Sequence, residues 1–234
     1  MLIMKLSIIV CIYNEINTIK QILKKIDEVI LPEPYSKEVI IIDNNSFDGS
    51  KEILKELVRT NKYRIIFKEK NYGKGNSVIT GISEASGNLI VFQDADLEYE
   101  PSNFIDLIKH LRENNLDAVF GSRIKNAEDF FYYKTNRLAV VYLTKLINFL
   151  FKGSFTDVAT NHKLIKTEVL KKLDLKFKGF NSDFEIAVKL LKKKYRCSEI
   201  PIKYFPRKYE DGKKINFVDG IKSLFVIIYL LFKS

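Results

Sequence analysis

The feature that most constrains this chain is a series of short apolar runs, each separated from the next by a helix-length pattern. Runs at 6–12, 38–42, 63–67, 89–93 and 117–120 alternate with helical patterns at 16–30, 48–60, 74–85 and 101–113. That order predicts an α/β protein with a doubly wound parallel sheet. Ile8-Ile9-Val10 and Val39-Ile40-Ile41-Ile42 are apolar throughout, so both faces of the sheet must be covered. Ser46 or Asp48 is the expected N-cap of the second helix, and Pro101 suits the first turn of the fourth. The second half is less regular. An apolar helix follows Arg137, then a strand at 163–165, helices at 167–173 and 183–194, and a strand at 197–203. The pattern predicts one domain over 1–210. Residues 211–234 add a basic loop and an apolar helix suited to a membrane interface.

The acids fall at strand ends. Glu15 follows the first run, Asp43 ends the second, and Asp94-Ala95-Asp96 closes the fourth. In a parallel sheet these ends share one edge, where ligands bind. Carboxylates gathered beside buried strands carry a desolvation cost that a divalent cation would offset. An Asp-x-Asp pair there suits Mg²⁺ or Mn²⁺ held against nucleotide phosphates. The plainer alternative is a loop with two solvated acids, one capping the next helix. Asp43-Asn44-Asn45-Ser46 likewise suits a turn and cap as well as a base or ribose contact. Gly73-Lys74-Gly75-Asn76 opens a helix, where glycines allow close backbone approach and the helix start favours an anion. No GxxxxGK[ST] is present and no GxGxxG follows the first strand, which argues against a Walker loop and a nicotinamide dehydrogenase.

Net charge is +10, which favours an anionic partner. Seven arginines stand against 32 lysines, so the arginines are the more informative cations for bidentate phosphate binding. The lysines are spread along helices without an aromatic-interleaved basic patch, so nucleic acid is not the expected partner. Cys11 and Cys197 form no disulfide framework or zinc spacing, which fits a cytoplasmic setting. The apolar stretches at 138–151 and 223–232 are too short for a convincing span. A ten-residue helix covers ~15 Å against a hydrocarbon core of ~30 Å. They suit core packing or the membrane surface equally.

Taken together, the motifs resemble glycosyltransferase family 2 of the GT-A fold, on its dolichyl-phosphate mannose synthase-like, or polyprenyl-phosphate glycosyltransferase, branch. The matching stretches are 9–15, 43–50, Gly73-Lys74-Gly75, Asp94-Ala95-Asp96-Leu97-Glu98, Gly121-Ser122-Arg123, Asn136-Arg137, Thr156-Asp157, 183–186, 199–202 and 207–215. They run in order over nearly the whole chain. The resemblance implies a Rossmann-like, mostly parallel sheet and metal-dependent, inverting transfer of a hexose, mannose or glucose, from a GDP- or UDP-sugar to a polyprenyl phosphate. It implies that Tyr13, Glu15 and Asp43 line the base and ribose pocket, with Lys74 and Asp94 on the donor side. Asp94, Asp96 and Glu98 would hold the cation. Arg123, Arg137 and Arg207 would meet the acceptor phosphate or the donor diphosphate, and Asp157, Asp183 and Glu185 would lie on the acceptor side. Asp96, Asp157 and Arg123 would be catalytic, Asp157 as base if the acceptor is a hydroxyl. A glycan or cell-envelope hydroxyl is the alternative acceptor, and a non-catalytic nucleotide binder the remote one. The expected location is the cytoplasmic face of a membrane, peripherally attached. Cys11 stands where the family usually has proline, and the tail lacks paired long spans.

Overall fold

A computed structural model describes residues 4–125, 134–207 and 217–233. The elements run β1 (Met4–Ile12), α1 (Ile19–Glu28), β2 (Tyr35–Asp43), α2 (Ser50–Val58), β3 (Arg64–Phe67), α3 (Lys74–Glu84), β4 (Leu89–Asp94), α4 (Asn103–Glu113) and β5 (Ala118–Ser122). Then come α5 (Lys134–Phe151), β6 (Lys163–Lys166), α6 (Thr167–Lys171), α7 (Ser182–Lys192), β7 (Cys197–Pro201) and α8 (Phe217–Phe232). The sheet order is β3-β2-β1-β4-β6-β5-β7.

Alternation along β1 explains the layering. Ile8 and Val10 face α1 and α4 in one core, which also holds Ile19, Ile22, Ile26, Phe104 and Leu107. Ile9 faces the other core, with Phe92, Val78, Ile82, Ile147, Phe184 and Val226 from α3, α5, α7 and α8. Successive strand residues point to opposite faces, so an uninterrupted apolar run serves two cores at once.

Register then gathers the acids. Ile12 pairs with Asp43 on one side of β1, and Cys11 pairs with Asp94 on the other. The expected convergence at one rim is therefore present. One strand departs from expectation. β6 runs antiparallel to both β4 and β5, while β5 and β7 are parallel. Its four residues carry no mark of direction, because a buried apolar run looks the same either way.

Two local expectations change. α2 begins at Ser50, with Gly49 at φ 101° in the N-cap position; Asp48 Oδ1 still accepts the Ser50 N–H at 3.0 Å, while Ser46 Oγ takes the Asn14 N–H. β7 ends at Pro201. Beyond it Tyr204 bridges to Tyr99, carrying the chain across the loop after β4 to Arg207. The expected basic loop falls mostly at 208–216, outside the described residues.

Candidate active site

The stretch 43–50 builds the near wall of the site. Ser46 Oγ, Ser50 Oγ and Asp48 Oδ2 accept the backbone N–H groups of Asn14, Glu15 and Ile16, each at 2.9 Å. Asn14 Oδ1 in turn accepts Phe47 N–H at 3.0 Å. Asn14 adopts φ 53°, a conformation asparagine tolerates better than most residues. These bonds fix the loop after β1 so that Tyr13 and Glu15 face a cavity of about 900 Å³. Asp43 does not join them there. It is fully buried and accepts the Ser46 N–H at 3.2 and 3.3 Å. Its neighbour Asn44 lines the cavity, and Asp43 makes the expected turn contact.

The glycines of Gly73-Lys74-Gly75 also have a different use from the one expected. A Cβ on Gly73 would overlap the Lys178 carbonyl oxygen, and one on Gly75 the Phe177 carbonyl oxygen. The close approach is to the protein's own loop, and Asn76 N–H donates to Lys178 O at 3.2 Å. Glu185 secures that loop. It is fully buried and accepts Lys176 N–H and Phe177 N–H at 3.0 Å, with Lys189 Nζ at 2.7 Å. Glu185 thus anchors the loop and is not among the residues lining the cavity.

Lys74 reaches the site. Its Nζ lies 2.9 Å from Asp94 Oδ1, and the pair faces the cavity with Asp183. Burial works against the Lys74 charge, but Asp94 and Asp183 outweigh it and raise its pKa. Asp183 is bound to the fully buried Lys163 at 2.6 Å.

The Asp-Ala-Asp loop is held from behind. Gln93 Nε2 donates to Asp94 O and Tyr99 O at 3.0 and 3.1 Å, so its Oε1 accepts from His162 Nε2 at 3.0 Å. Asn103 Nδ2 donates to Lys203 O at 3.0 Å and faces His162 Nδ1 at 3.3 Å. The histidine is therefore the neutral Nε2–H tautomer, and burial pushes its pKa down to about 3. Glu98 accepts Tyr204 O–H at 2.8 Å and Arg207 N–H at 2.7 Å. It binds the 204–207 strap to the acid loop.

Arg207 sits among the acids. Its guanidinium lies 3.2 Å from Glu15 Oε2 and 3.0 Å from Asp96 Oδ2. Even so, burial, then Asp94 and Glu98, push the Asp96 carboxyl up to about 7, with Arg207 opposing. Burial also raises Asp94, against the pull of Lys74. The rim has more negative charge than its two cations balance. Among the described residues no group of three or more His, Cys, Asp or Glu forms a metal cage. Asp94 and Asp96 nevertheless fit Mg²⁺ or Mn²⁺. They are an all-oxygen donor set facing the cavity, and Mg²⁺ in particular characteristically shares its shell with substrate phosphates and water.

On the far side, Arg123 faces the cavity but is locked to Asp157, and its guanidinium lies 5.3 Å from the Tyr204 ring centre. Asp157 is fully buried. The loop carrying it is held by Glu199, which accepts Thr156 N–H and Asp157 N–H at 2.8 Å. Asp157 is thus gripped from both sides and is not among the residues lining the cavity. Arg137 is exposed on α5, and the α5 residues lining the cavity are Asn136, Ala139, Val140, Tyr142 and Leu143. α8 closes that end with Gly220, Ile221 and Leu224. His162, Gln93, Asn103 and Lys163 are isolated polar residues with no motif around them, so nothing in the sequence marks their part in the site; Glu199 opens the 199–202 stretch, but its hold on the Thr156-Asp157 loop spans more than 40 residues.

Comparison with known proteins agrees with this geometry. Residues 7–174 match the family model for glycosyl transferase family 2. The dolichol-phosphate mannosyltransferase of Pyrococcus furiosus is 28% identical over 214 residues, 90% of this chain and 59% of that protein. The undecaprenyl-phosphate 4-deoxy-4-formamido-L-arabinose transferase of Proteus mirabilis is 30% identical over 133 residues, 56% of this chain and 40% of its own. The chain thus spans well under two thirds of these two relatives. An uncharacterized protein of Methanocaldococcus jannaschii, 29% identical, matches over 85% of this chain and 86% of its own length. Among solved structures, glucosyl-3-phosphoglycerate synthase from Mycobacterium tuberculosis, in complex with Mn²⁺, UDP and phosphoglyceric acid, superposes with a TM-score of 0.68. It shares 14% identity over 99% of this chain and 80% of that one. S. aureus TarS in complex with UDP-GlcNAc gives 0.67 at 17% identity, over 99% and 67%. The chain belongs to glycosyl transferase family 2 and is a glycosyltransferase of the GT-A fold.

Proposed function

We propose that this glycosyltransferase transfers a hexose, with inversion, from a nucleotide diphosphate sugar to a polyprenyl phosphate at a membrane surface, with Mg²⁺ or Mn²⁺ bound at Asp94 and Asp96. The observation that carries the reading is the two-ended cavity. One end is lined by Glu15, Asp94, Asp96, Lys74 and Arg207, the other by apolar residues of α5 and α8. The first end suits a diphosphate, the second an isoprenoid chain.

The cation, when bound, supplies Lewis-acid neutralisation of charge on the leaving diphosphate. Lys74 and Arg207 add fixed positive charge beside it. The anomeric C–O bond breaks with its electron pair leaving on the diphosphate, while an acceptor phosphate oxygen forms the new bond from the opposite face. That oxygen is already anionic near neutral pH, since a phosphomonoester has its second pKa near about 6. No base is needed, and Arg123 need only orient the phosphate. The anchoring of Asp157 and Glu185 favours this acceptor over a hydroxyl. Of the three acids expected on the acceptor side, Asp183, paired with Lys163, lines the cavity.

Membrane attachment rests on the outer faces of the same helices. α8 exposes Val218, Phe225 and Phe232 away from the cavity, and α5 exposes Leu138 and Phe149. Among the described residues no helix is long and apolar enough to cross a membrane. A partly apolar helix with lysines nearby suits the surface of an anionic bilayer. The test offers GDP-mannose, UDP-glucose and UDP-N-acetylglucosamine with Mn²⁺ to the protein, with a short-chain prenyl phosphate or an oligosaccharide. Glycolipid formed from one donor is the expected product. Transfer to the oligosaccharide alone would overturn the lipid acceptor.

A further inference from the structure

α7 leaves the cavity at Asp183 and ends at Lys192, and at that far end it meets the ends of α6 and α8. Lys193 Nζ, just past α7, donates to Lys172 O, just past α6, at 2.6 Å, and Lys192 Nζ donates to Leu230 O of α8 at 2.8 Å. Lys172, Lys176, Lys192, Lys193, Lys194 and Lys233 are all exposed there. Among the described residues of 171–196 and 227–233, Asp174 is the one exposed acid, and Asp183 and Glu185 are buried. A carbonyl takes hydrogens from an ammonium group without neutralising it. The bonds therefore hold like charges side by side, a repulsion that an anionic surface would relieve. An aromatic row runs into this patch. Phe225 stacks on Tyr229 with 6.4 Å between ring centres, and Phe177, beside Lys176, meets Tyr229 edge-on at 5.8 Å. Lys233 Nζ donates to the Tyr229 hydroxyl at 2.8 Å. Phe225 and Phe232 are 65% and 81% exposed. Ile221, which lines the cavity, begins the same face of α8, since residues four apart share a helix face.

We propose that the joined ends of α6, α7 and α8 are a docking surface for anionic lipid headgroups, with the aromatic row seated in the headgroup layer and the lysines on the lipid phosphates. The inference rests on the membrane reading above; it adds which lipids the surface selects and how the enzyme is turned on them. A bilayer presents phosphates beside acyl chains, and the patch presents lysines beside aromatic rings. Lysine stems cross apolar surface while their ammonium groups stay with water and phosphate. Tyr229 suits the same boundary, with an apolar ring and a polar tip. From Ile221 to Lys233 the row is about 18 Å long at ~1.5 Å per residue. With its lysine end held on lipid phosphates, its cavity end lies against the same leaflet, where a prenyl phosphate would enter. Each lysine close to a charged membrane strengthens partitioning by about fivefold, and salt screens the effect.

Sedimentation with vesicles tests it, using phosphatidylcholine alone and an equal mixture of phosphatidylcholine and phosphatidylglycerol. The native chain should bind the mixed vesicles at least about tenfold tighter than the neutral ones at low salt, and lose that advantage in about 1 M salt, where the Debye length is ~3 Å. Lys172→Glu, Lys193→Glu and Lys194→Glu together should weaken binding to the mixed vesicles by about 100-fold and leave binding to neutral vesicles unchanged. A matched triple, Lys20→Glu, Lys55→Glu and Lys109→Glu, alters net charge equally at exposed positions of α1, α2 and α4, which pack on the opposite core. It should cost less than about threefold, since those lysines lie beyond a Debye length from the docked surface. Lys172→Gln, Lys193→Gln and Lys194→Gln together keep the side chains' reach without reversed charge at the helix ends. That triple should keep the native circular dichroism and still weaken binding to the mixed vesicles. Equal binding of the native chain to neutral and mixed vesicles, equal weakening by the two Glu triples, or no weakening by the Gln triple would overturn the lysine surface while attachment through the apolar helices stands. Binding to no vesicle at all would overturn membrane attachment itself, and the lysine surface with it.

Discussion

Arg123 holds both carboxylate oxygens of Asp157, with Nε 2.6 Å from Oδ2 and Nη2 2.8 Å from Oδ1, and both residues are buried. Removing one member of such a pair strands a charge in a poorly solvated place. Asp157→Ala should therefore cost about 3–5 kcal/mol of stability, measured by urea unfolding. Replacing the pair together, as Arg123→Met with Asp157→Leu, should restore most of it. A stable Asp157→Ala protein with transfer abolished would return Asp157 to the role of base.

Asp96 is the residue on which the metal assignment stands. Asp96→Asn preserves shape and leaves Arg207 with Glu15, but removes the charge. Donor turnover should fall by about 100-fold or more, the scale seen when a group that stabilises developing charge is lost. Mn²⁺ binding to the protein with UDP should weaken in parallel. Unchanged turnover and unchanged Mn²⁺ binding would refute the assignment.

Gly75 has no room for a side chain. Gly75→Ala places a methyl against the Phe177 carbonyl and the Lys178 backbone, which Glu185 holds in place. The strain should lower stability by about 1–3 kcal/mol. Lys74, one residue away, should shift from Asp94, seen as a higher KM for the donor. Wild-type stability and KM would show that the loop yields freely.

His162 makes stability depend on pH. Its folded pKa, about 3, lies below the unfolded value of about 6.5. The unfolded chain takes up the proton first, so stability is full above about pH 6.5 and declines as pH falls towards 3. Between pH 7 and 5 the loss should be about 2 kcal/mol in urea unfolding. His162→Gln should flatten that part of the profile. An identical slope in the variant would assign the dependence to other groups.

The 43–50 stretch shows how far the sequence carried. Its serines and acids marked a turn between a strand and a helix, and that is what they form. Which main-chain groups they receive was hidden, because Ser46, Asp48 and Ser50 bond to residues 32–35 positions away. Asp43 and Asn44 could not be told apart as ligand contacts, since a strand's last residue turns inward or outward only once the loop is folded. The motifs of Asp157 and Glu185 point to the acceptor side; Asp157 meets Arg123 from another part of the chain, and Glu185 takes two amides of the 176–177 loop besides Lys189 of its own helix. Pairing across the fold leaves no local pattern.

The sequence by itself determined the layered α/β architecture, because apolar runs of strand length between amphipathic helices admit few other ways to bury their surface. It also determined that acids would meet at one rim, because parallel strands put their carboxyl ends side by side. Tertiary structure alone decided the direction of β6, which acids stay open to the cavity and which are gripped by Arg123, Lys163 or backbone amides. Charge in a poorly solvated interior is governed by what lies within a few ångströms, and those neighbours come from distant parts of the chain.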